Sequence, residues 1–332
     1  MHRIDSWTTA TVARCVDRTP TVREIELVIE GEAPSWTPGS HIDVRVQLRA
    51  RQETRSYSLV GLPDGRALRI AVKRLDDGRG GSTYMHSLVP GARVAVAAPE
   101  NHFELDLACA QTLLIAGGIG VTPLVGMAHR LAERGAWVSM CLAARRDEEL
   151  AFADDLRAIL GDRLRTFVSE RGERLDFAAE FAHLGAGAQV YLCGPVPMLE
   201  AARAAWSAAE HRPAHLRYET FGGSGRFAAQ PFRVRVPRHA IDIIVAPGCS
   251  VLDALEEAGV DVLSDCRRGE CGLCALDVLQ VDGELDHRDV FLSATQKEQG
   301  KTFCTCVSRV AGAGATLVLD SAYRSDTAMM GS

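Results

Sequence analysis

Apolar and polar residues alternate along the first hundred positions. Thr11-Val12-Ala13-Arg14-Cys15-Val16, the run Val22 to Ile29 and His41-Ile42-Asp43-Val44-Arg45-Val46 each place every second side chain on one face. A period of two is that of half-buried strands. Pro38-Gly39, Pro63-Asp64-Gly65 and Pro90-Gly91 punctuate the runs as turns. Short strands at regular spacing predict an antiparallel β-barrel. One helix, from Ser82 to about Leu88, interrupts it.

From Thr112 the pattern changes. Thr112-Leu113-Leu114-Ile115-Ala116 is apolar throughout, as a fully buried strand is, and a glycine turn leads from it into a helical stretch from Pro123 to about Arg134. Further strands are predicted at Trp137–Leu142, Arg165–Val168 and Ala188–Cys193, and further helices at Glu149–Leu160 and Pro197–Ala209. Strands alternating with helices define an α/β domain with a doubly wound parallel sheet. The glycine-rich stretch from Phe221 to Pro231 reads as a linker. Beyond it, Phe232–Val236 and Ile241–Val245 form a predicted hairpin, and Ser250 caps a helix running to Ala258. The expected organisation is a barrel over residues 1–106, an α/β domain over 107–222, a linker over 223–231 and a third domain over 232–332.

Composition narrows the class. A chain of 332 residues exceeds one ordinary core and suits two or three domains. Hydrophobic content of 47% and charged content of 24% are those of a globular enzyme. The sequence contains no apolar run long enough for a membrane span and no secretory signal at its start, so a cytoplasmic protein is expected. Five of the six net negative charges fall in residues 232–332. No basic stripe suits nucleic acid. The acidic last third either steers toward a basic partner or is a solvated surface.

Half of the ten cysteines crowd between Cys266 and Cys306. In a cytoplasmic chain such crowding indicates metal binding before disulfides. Cys15, Cys109, Cys141, Cys193 and Cys249 sit mostly among apolar neighbours and are expected as small buried residues. Cys266, Cys271 and Cys274 have the spacing C-x4-C-x2-C, with further cysteines downstream, which is the plant-type [2Fe-2S] ligand pattern. Two irons and two sulfides need four thiolates, and three come from one tight loop. Gly269 and Gly272 let that backbone approach and turn its amides to the sulfurs. Cys304 and Cys306 both lie downstream, and spacing alone leaves the fourth ligand open between them.

Two further constellations carry chemistry. Arg55-Ser56-Tyr57-Ser58 ends a barrel strand; taken alone, such residues are often rim residues. Ala71-Val72-Lys73-Arg74 then leads to Gly78-Arg79-Gly80-Gly81-Ser82, a glycine turn opening a helix, whose free amides suit a phosphate. Gly117-Gly118-Ile119-Gly120-Val121-Thr122-Pro123 follows a buried strand and also opens a helix, so its backbone can approach a pyrophosphate. It is not the G-x-G-x-x-G of dehydrogenases. Tyr191-Leu192-Cys193-Gly194-Pro195, with Met198 at the start of a helix, is the second glycine element of that domain.

Arg-x-Tyr-Ser and Gly-Gly-x-Gly-x-Thr-Pro resemble the flavin and nicotinamide motifs of the ferredoxin–NADP reductase superfamily. With the cysteine loop last, the order flavin, nicotinamide, iron-sulfur resembles the phthalate dioxygenase reductase family, which includes vanillate O-demethylase reductases, from about residue 8 to about 320. The resemblance implies an NAD(P)H-dependent iron-sulfur flavoprotein with a C-terminal ferredoxin-like (β-grasp) domain. Its cofactors would be FMN, NADH and a [2Fe-2S] cluster. It assigns to FMN the residues Arg55, Ser56, Tyr57, Ser58, Val72, Lys73, Arg74, Gly80, Gly81, Ser82, Thr122 and Phe221, with Ser58 near the reactive flavin nitrogen. To the nucleotide it assigns Gly117, Gly118, Gly120, Pro123, Cys193, Gly194, Pro195 and Met198, with Cys193 beside the nicotinamide. Arg145 is either a ribose or diphosphate contact or an ordinary surface arginine, and nothing marks a 2′-phosphate pocket, so NADH is preferred. Cys306, which precedes Val307-Ser308-Arg309, is implied as the fourth cluster ligand, and His287 as structural.

The implied activity is transfer from NADH through FMN to the cluster and on to a partner oxygenase. Hydride brings two electrons and the cluster takes one, so a flavin between them is required. The implied partner is a Rieske-type oxygenase acting on an aromatic acid or ether; a cytochrome P450 or diiron oxygenase is the alternative. A non-catalytic redox-sensing subunit is disfavoured because each site keeps its chemically necessary residues.

Overall fold

The computed structural model describes residues 7–31, 33–48, 52–75, 78, 80–221 and 225–321. Arg79, Gly222, Gly223 and Ser224, which belong to the glycine turn and the linker read above, lie outside the described residues.

The first sheet comprises β1 (Thr8–Thr19), β2 (Val22–Ile29), β3 (Ser40–Gln47), β4 (Gln52–Ser58), β5 (Leu68–Lys73), β6 (Arg93–Val96) and the short β7 (Glu100–Asn101), with helix α1 (Gly81–Ser87) between β5 and β6. Its strands run in the order β4-β3-β6-β1-β2-β5, with β7 paired to β3. An antiparallel bridge from Leu59, just past β4, to Ile70 on β5 joins the two ends, as barrel closure requires. The alternation read from the sequence is the burial pattern observed: Val12, Ile25, Leu27, Ile42, Val44 and Val46 all point into the barrel core.

The second sheet is entirely parallel. It contains β8 (Gln111–Gly117), β9 (Trp137–Ala144), β10 (Leu164–Val168), β11 (Gln189–Cys193) and β12 (Leu216–Glu219), in the order β10-β9-β8-β11-β12. Helices α2 (Thr122–Glu133), α3 (Ala153–Leu160), α4 (Phe177–Ala182) and α5 (Val196–Ala208) connect the strands. The chain leaves β8 toward β9 and β10, then returns to the other side of β8 with β11. That reversal makes the crevice beyond the ends of β8 and β11 the topological switch point, where α/β sheets bind ligands.

Barrel and parallel sheet share apolar packing. One buried cluster unites Val22, Val60, Ala71 and Phe103 of the barrel side with Leu124, Val125 and Met127 of α2. A Cβ on Gly126 would stand 2.0 Å from the carbonyl oxygen of Gly61, so the helix backbone rests directly against the barrel. Up to Gly194, and again over Met198–Glu219, these residues form one compact unit; Pro195–Pro197 and the residues from Thr220 onward form a second.

The third sheet belongs to that second unit. It orders β13 (Phe232–Val236), β14 (Ile241–Val245), β15 (Ala275–Asp286), β16 (Thr302–Cys304) and β17 (Arg309–Asp320) as β14-β13-β17-β15-β16, with β13 and β17 parallel and the other pairs antiparallel. Helix α6 (Val251–Glu257) carries a reciprocal cap, in which Ser250 and Asp253 each accept the other's amide; α7 (Ala294–Gln299) follows β15. This is the β-grasp arrangement. No helix among the described residues is long and apolar enough to cross a membrane.

Four expectations need correction. The helix expected from Glu149 starts only at Ala153. Asp147–Glu149 is a single 3-10 turn, and Phe152 takes the left-handed conformation at φ 62°. That turn buries its ring under the Arg18 guanidinium, 5.1 Å from the centroid. Helices α1, α2 and α5 each begin and end one residue earlier than expected. Cys15, Cys109 and Cys249 are half-buried rather than buried, and each thiol lies against a backbone carbonyl (of Leu88, Gln111 and Ser250 respectively); Cys141 and Cys193 are buried as expected. Finally, Gly225–Gln230 is not free chain. Arg226 N–H donates to Asp286 Oδ1 at 2.9 Å, Arg288 to the Phe227 carbonyl at 2.9 Å, and Arg309 to the Gln230 carbonyl at 3.0 Å.

Candidate functional site

The cysteine loop between α6 and β15 wraps around one sulfur. Cys266 Sγ accepts from the backbone amides of Arg268, Glu270 and Cys271, each at 3.4 Å. Amides aimed at a thiolate stabilise its charge and that of any cluster it holds. The loop closes because Gly269 and Gly272 adopt φ of 81° and 74°. A Cβ on Gly272 would fall 2.3 Å from the Phe291 ring, and one on Gly269 2.7 Å from Val307. Cys274 and Cys306 are nearly inaccessible, and Cys266 and Cys271 are half-buried. Leu273 and Phe291, beside the loop, are exposed at 51% and 47%.

Hydrogen bonds from the Cys304 and Cys306 thiols pull the Cys274 thiol down to about 3, while both donors are pushed up by the same bonds. Cys306 lies within the field of Cys266 and meets the Gly269 amide, whereas Cys304 lies toward Asp289. Cys304→Ser is therefore expected to leave the visible spectrum and electron transfer near wild type; loss of the cluster absorbance would contradict this.

Asp289 braces the loop from behind. Its carboxylate accepts from Leu292 N–H at 2.9 Å and Ser308 Oγ at 3.2 Å, and its carbonyl from Lys297 Nζ at 2.6 Å. Burial opposes ionisation, but the nearby His287 ring, the hydrogen bond from Leu292 N–H and the Lys297 charge outweigh it and lower its pKa. A carboxyl lowered on folding stabilises the fold above its unfolded pKa and loses that contribution as pH falls through the folded value. Asp289→Asn should cost about 1–3 kcal/mol near neutrality. Urea unfolding should show the gap to wild type shrinking below about pH 4. His287, read as structural, has its ring buried with Nδ1 3.6 Å from Asp289 Oδ1.

In the barrel, Arg55 lies across Gly81: a Cβ there would be 2.9 Å from Arg55 Nε. The guanidinium pairs with Glu53. Gly80, at φ 83°, caps α1, and Ser82 Oγ accepts from Leu75 N–H at 3.0 Å. Ser56 Oγ bonds Asp43, and the Val72 carbonyl bonds His86 Nε2 at 2.8 Å. Lys73 reaches Glu149 at 3.4 Å, and Arg74 is exposed. Burial pushes the Tyr57 hydroxyl pKa well up. The buried Ser58 hydroxyl has no hydrogen-bond partner among the described residues. An orphaned hydroxyl next to a half-buried tyrosine suits a bound polar ring, so these residues fit a flavin.

At the switch point, a Cβ on Gly120 would stand 2.2 Å from the Cys193 carbonyl oxygen, and one on Gly194 3.2 Å from Gly117 and 2.9 Å from Met198 Sδ. Gly118 turns at φ 55° with nothing within 4 Å of its Cβ direction, an open cradle for a ligand. Thr122 Oγ1 donates to the Ile119 carbonyl at 3.0 Å, and Pro123 lies in the first turn of α2. Cys193 is fully buried, and its backbone carbonyl faces the glycine turn. Arg145 is exposed and 3.7 Å from Glu170. Pro195 and Phe221 fall in the second unit, the latter 37% exposed.

An α/β sheet with a glycine cradle, a closed flavin-type barrel and a C-x4-C-x2-C loop in one chain define an iron-sulfur flavoprotein oxidoreductase. Residues 114–204 match the oxidoreductase NAD-binding domain family, and residues 236–311 the 2Fe-2S iron-sulfur cluster binding domain family. The chain is 41% identical to the phenoxybenzoate dioxygenase subunit beta of Ectopseudomonas oleovorans over 87% of its own length and 89% of that protein's. It is 36% identical to the heme-dependent oxidative N-demethylase beta subunit of Ectopseudomonas mendocina (strain ymp), over 93% and 97%. The structure of phthalate dioxygenase reductase aligns with a TM-score of 0.72 and 29% identity, over 95% of this chain and 98% of that one. CYP116B46 from Tepidiphilus thermophilus aligns at 0.64 and 34%, and there the chain spans only 42% of the longer protein. The chain belongs to the phthalate dioxygenase reductase family. Its cofactors are FMN, NADH and a [2Fe-2S] cluster.

Proposed function

We propose that this chain is the electron-supplying component of a Rieske-type oxygenase or demethylase acting on an aromatic acid or ether. The observation that carries the reading is the triple amide cradle around Cys266, in the same chain as the open glycine turn at the switch point. When bound, the flavin supplies the conversion of a two-electron hydride into single electrons.

The chain's own groups do the positioning. Arg55 with the Gly80-Gly81-Ser82 turn would hold the FMN phosphate, and Tyr57 and the orphaned Ser58 hydroxyl would hold its ring. Ser56, Val72, Lys73, Arg74, Thr122 and Phe221 complete the flavin set. Gly117, Gly118, Gly120 and Pro123 hold the diphosphate. The Cys193-Gly194-Pro195 peptides, with Met198, hold the nicotinamide end, and Arg145 reaches the nucleotide. Cys266, Cys271, Cys274 and Cys306 hold the cluster. Exposed Leu273 and Phe291 give the electron an exit face beside the loop. The domain limits proposed are 1–106, 107–222 and 232–332, and a cytoplasmic setting is proposed with them.

A second reading, delivery to a cytochrome P450, is favoured by one observation, the 34% identity to a segment of CYP116B46. A visible spectrum with identification of the released flavin, followed by NADH-driven reduction of a purified Rieske oxygenase and of a P450 side by side, tests both. Reduction of the P450 alone overturns the first reading; a colourless protein after anaerobic reconstitution overturns both.

A further inference from the structure

Strands β3 and β7 gather three metal-ligating side chains that the redox sites do not use. His41 on β3 pairs directly across the sheet with Glu100 on β7, and directly opposed residues share one face. His102 follows on the bend just past β7. One donor atom from each of the three lies within 4.8 Å of both others. His102 Nε2 is 3.2 Å from Glu100 Oε2, and the His41 and His102 ring centroids are 5.6 Å apart at 37°.

An exposed imidazole–carboxylate pair by itself is an ordinary surface contact. The third donor changes its character. His41 is only 6% exposed and fixed in the barrel wall, whereas the side chains of His102 and Glu100 are 60% and 40% exposed. One rigid donor with two adjustable ones at the solvent side leaves a path for an ion and an open position for water. Neighbouring ligand atoms on a tetrahedral ion sit about 3.4 Å apart for bonds of about 2.1 Å, close to the imidazole–carboxylate spacing here. Two imidazoles and one carboxylate suit borderline ions; calcium and magnesium prefer oxygen alone.

We propose that His41, Glu100 and His102 form a binding site for a divalent transition metal of the zinc class, separate from the cluster. It lies one strand from Ser58, the other cross-strand partner of His41.

Isothermal titration of the holoprotein with zinc chloride, and zinc-edge anomalous maps of soaked crystals, test this. Wild type is expected to bind one zinc that His102→Ala and Glu100→Gln weaken by at least about tenfold, as losing a direct ligand should exceed the loss from disturbing an outer one. The exposed His183→Ala, remote in sequence, is expected to match wild type. Unchanged flavin and cluster absorbance in each variant shows that the fold survives. Wild-type affinity in His102→Ala, no zinc bound by the wild type, or an anomalous peak only elsewhere overturns the proposal.

Discussion

Cys271→Ser stops NADH-driven reduction of cytochrome c while ferricyanide reduction continues near the wild-type rate. The split follows from electron counting: ferricyanide accepts electrons directly from the flavin, whereas cytochrome c requires the cluster as intermediary. Disturbing even outer groups of a metal site costs up to about 100-fold, and removing a ligand from the loop should exceed that. The amide of Cys271 also points at Cys266 Sγ, so a serine that stays in place keeps the cradle but lacks the thiolate. Stopped-flow reduction by NADH, followed at flavin and cluster wavelengths, separates the two halves. Loss of both activities with flavin still bound would show that the order of carriers is wrong.

Gly120→Ala has the second large effect. Its Cβ would lie 2.2 Å from the oxygen and 2.5 Å from the carbon of the Cys193 carbonyl, and 2.9 Å from Gly194 N. All three are backbone atoms at the end of β11, which pairs with β8 from Gln189 to Cys193 and cannot slide aside. The two walls of the crevice must therefore part. Overpacking of this kind costs about 1–3 kcal/mol of stability. A misplacement of about 1 Å at a reacting pair costs about 100-fold in rate. NADH oxidation at saturating ferricyanide should fall by that order, with the flavin spectrum retained. An unaltered rate would mean that hydride does not pass at this crevice.

Both effects concern motifs that are local in sequence, which is why they could be read there, although the clash at Gly120 is with Cys193 on a remote strand. A cysteine loop and a glycine turn are local devices: spacing fixes what the backbone can wrap. The barrel and the parallel sheet were legible for a related reason, because burial imposes its period directly on the chain. The start of α3 was not legible. It depends on Arg18 reaching Phe152 from far away in the sequence, and helical periodicity carries no trace of that contact. The paired strands β15 and β17 were missed because bulges break their alternation, and α4 and β12 because six and four residues are too few to show a period. The linker looked free because its partners, Asp286, Arg288 and Arg309, lie about 60 to 80 positions downstream. The register that sets His41 opposite Glu100 is equally remote.

The contact of Gly126 with the Gly61 carbonyl bears on how such a protein can be rearranged. A gene cut between the barrel and the parallel sheet would strip Leu124, Val125 and Met127 of their facing residues and leave both fragments with a raw greasy scar. Neither piece is a spare part. Natural fusion or laboratory grafting must transplant the stretch up to Glu219 whole, as a single cassette.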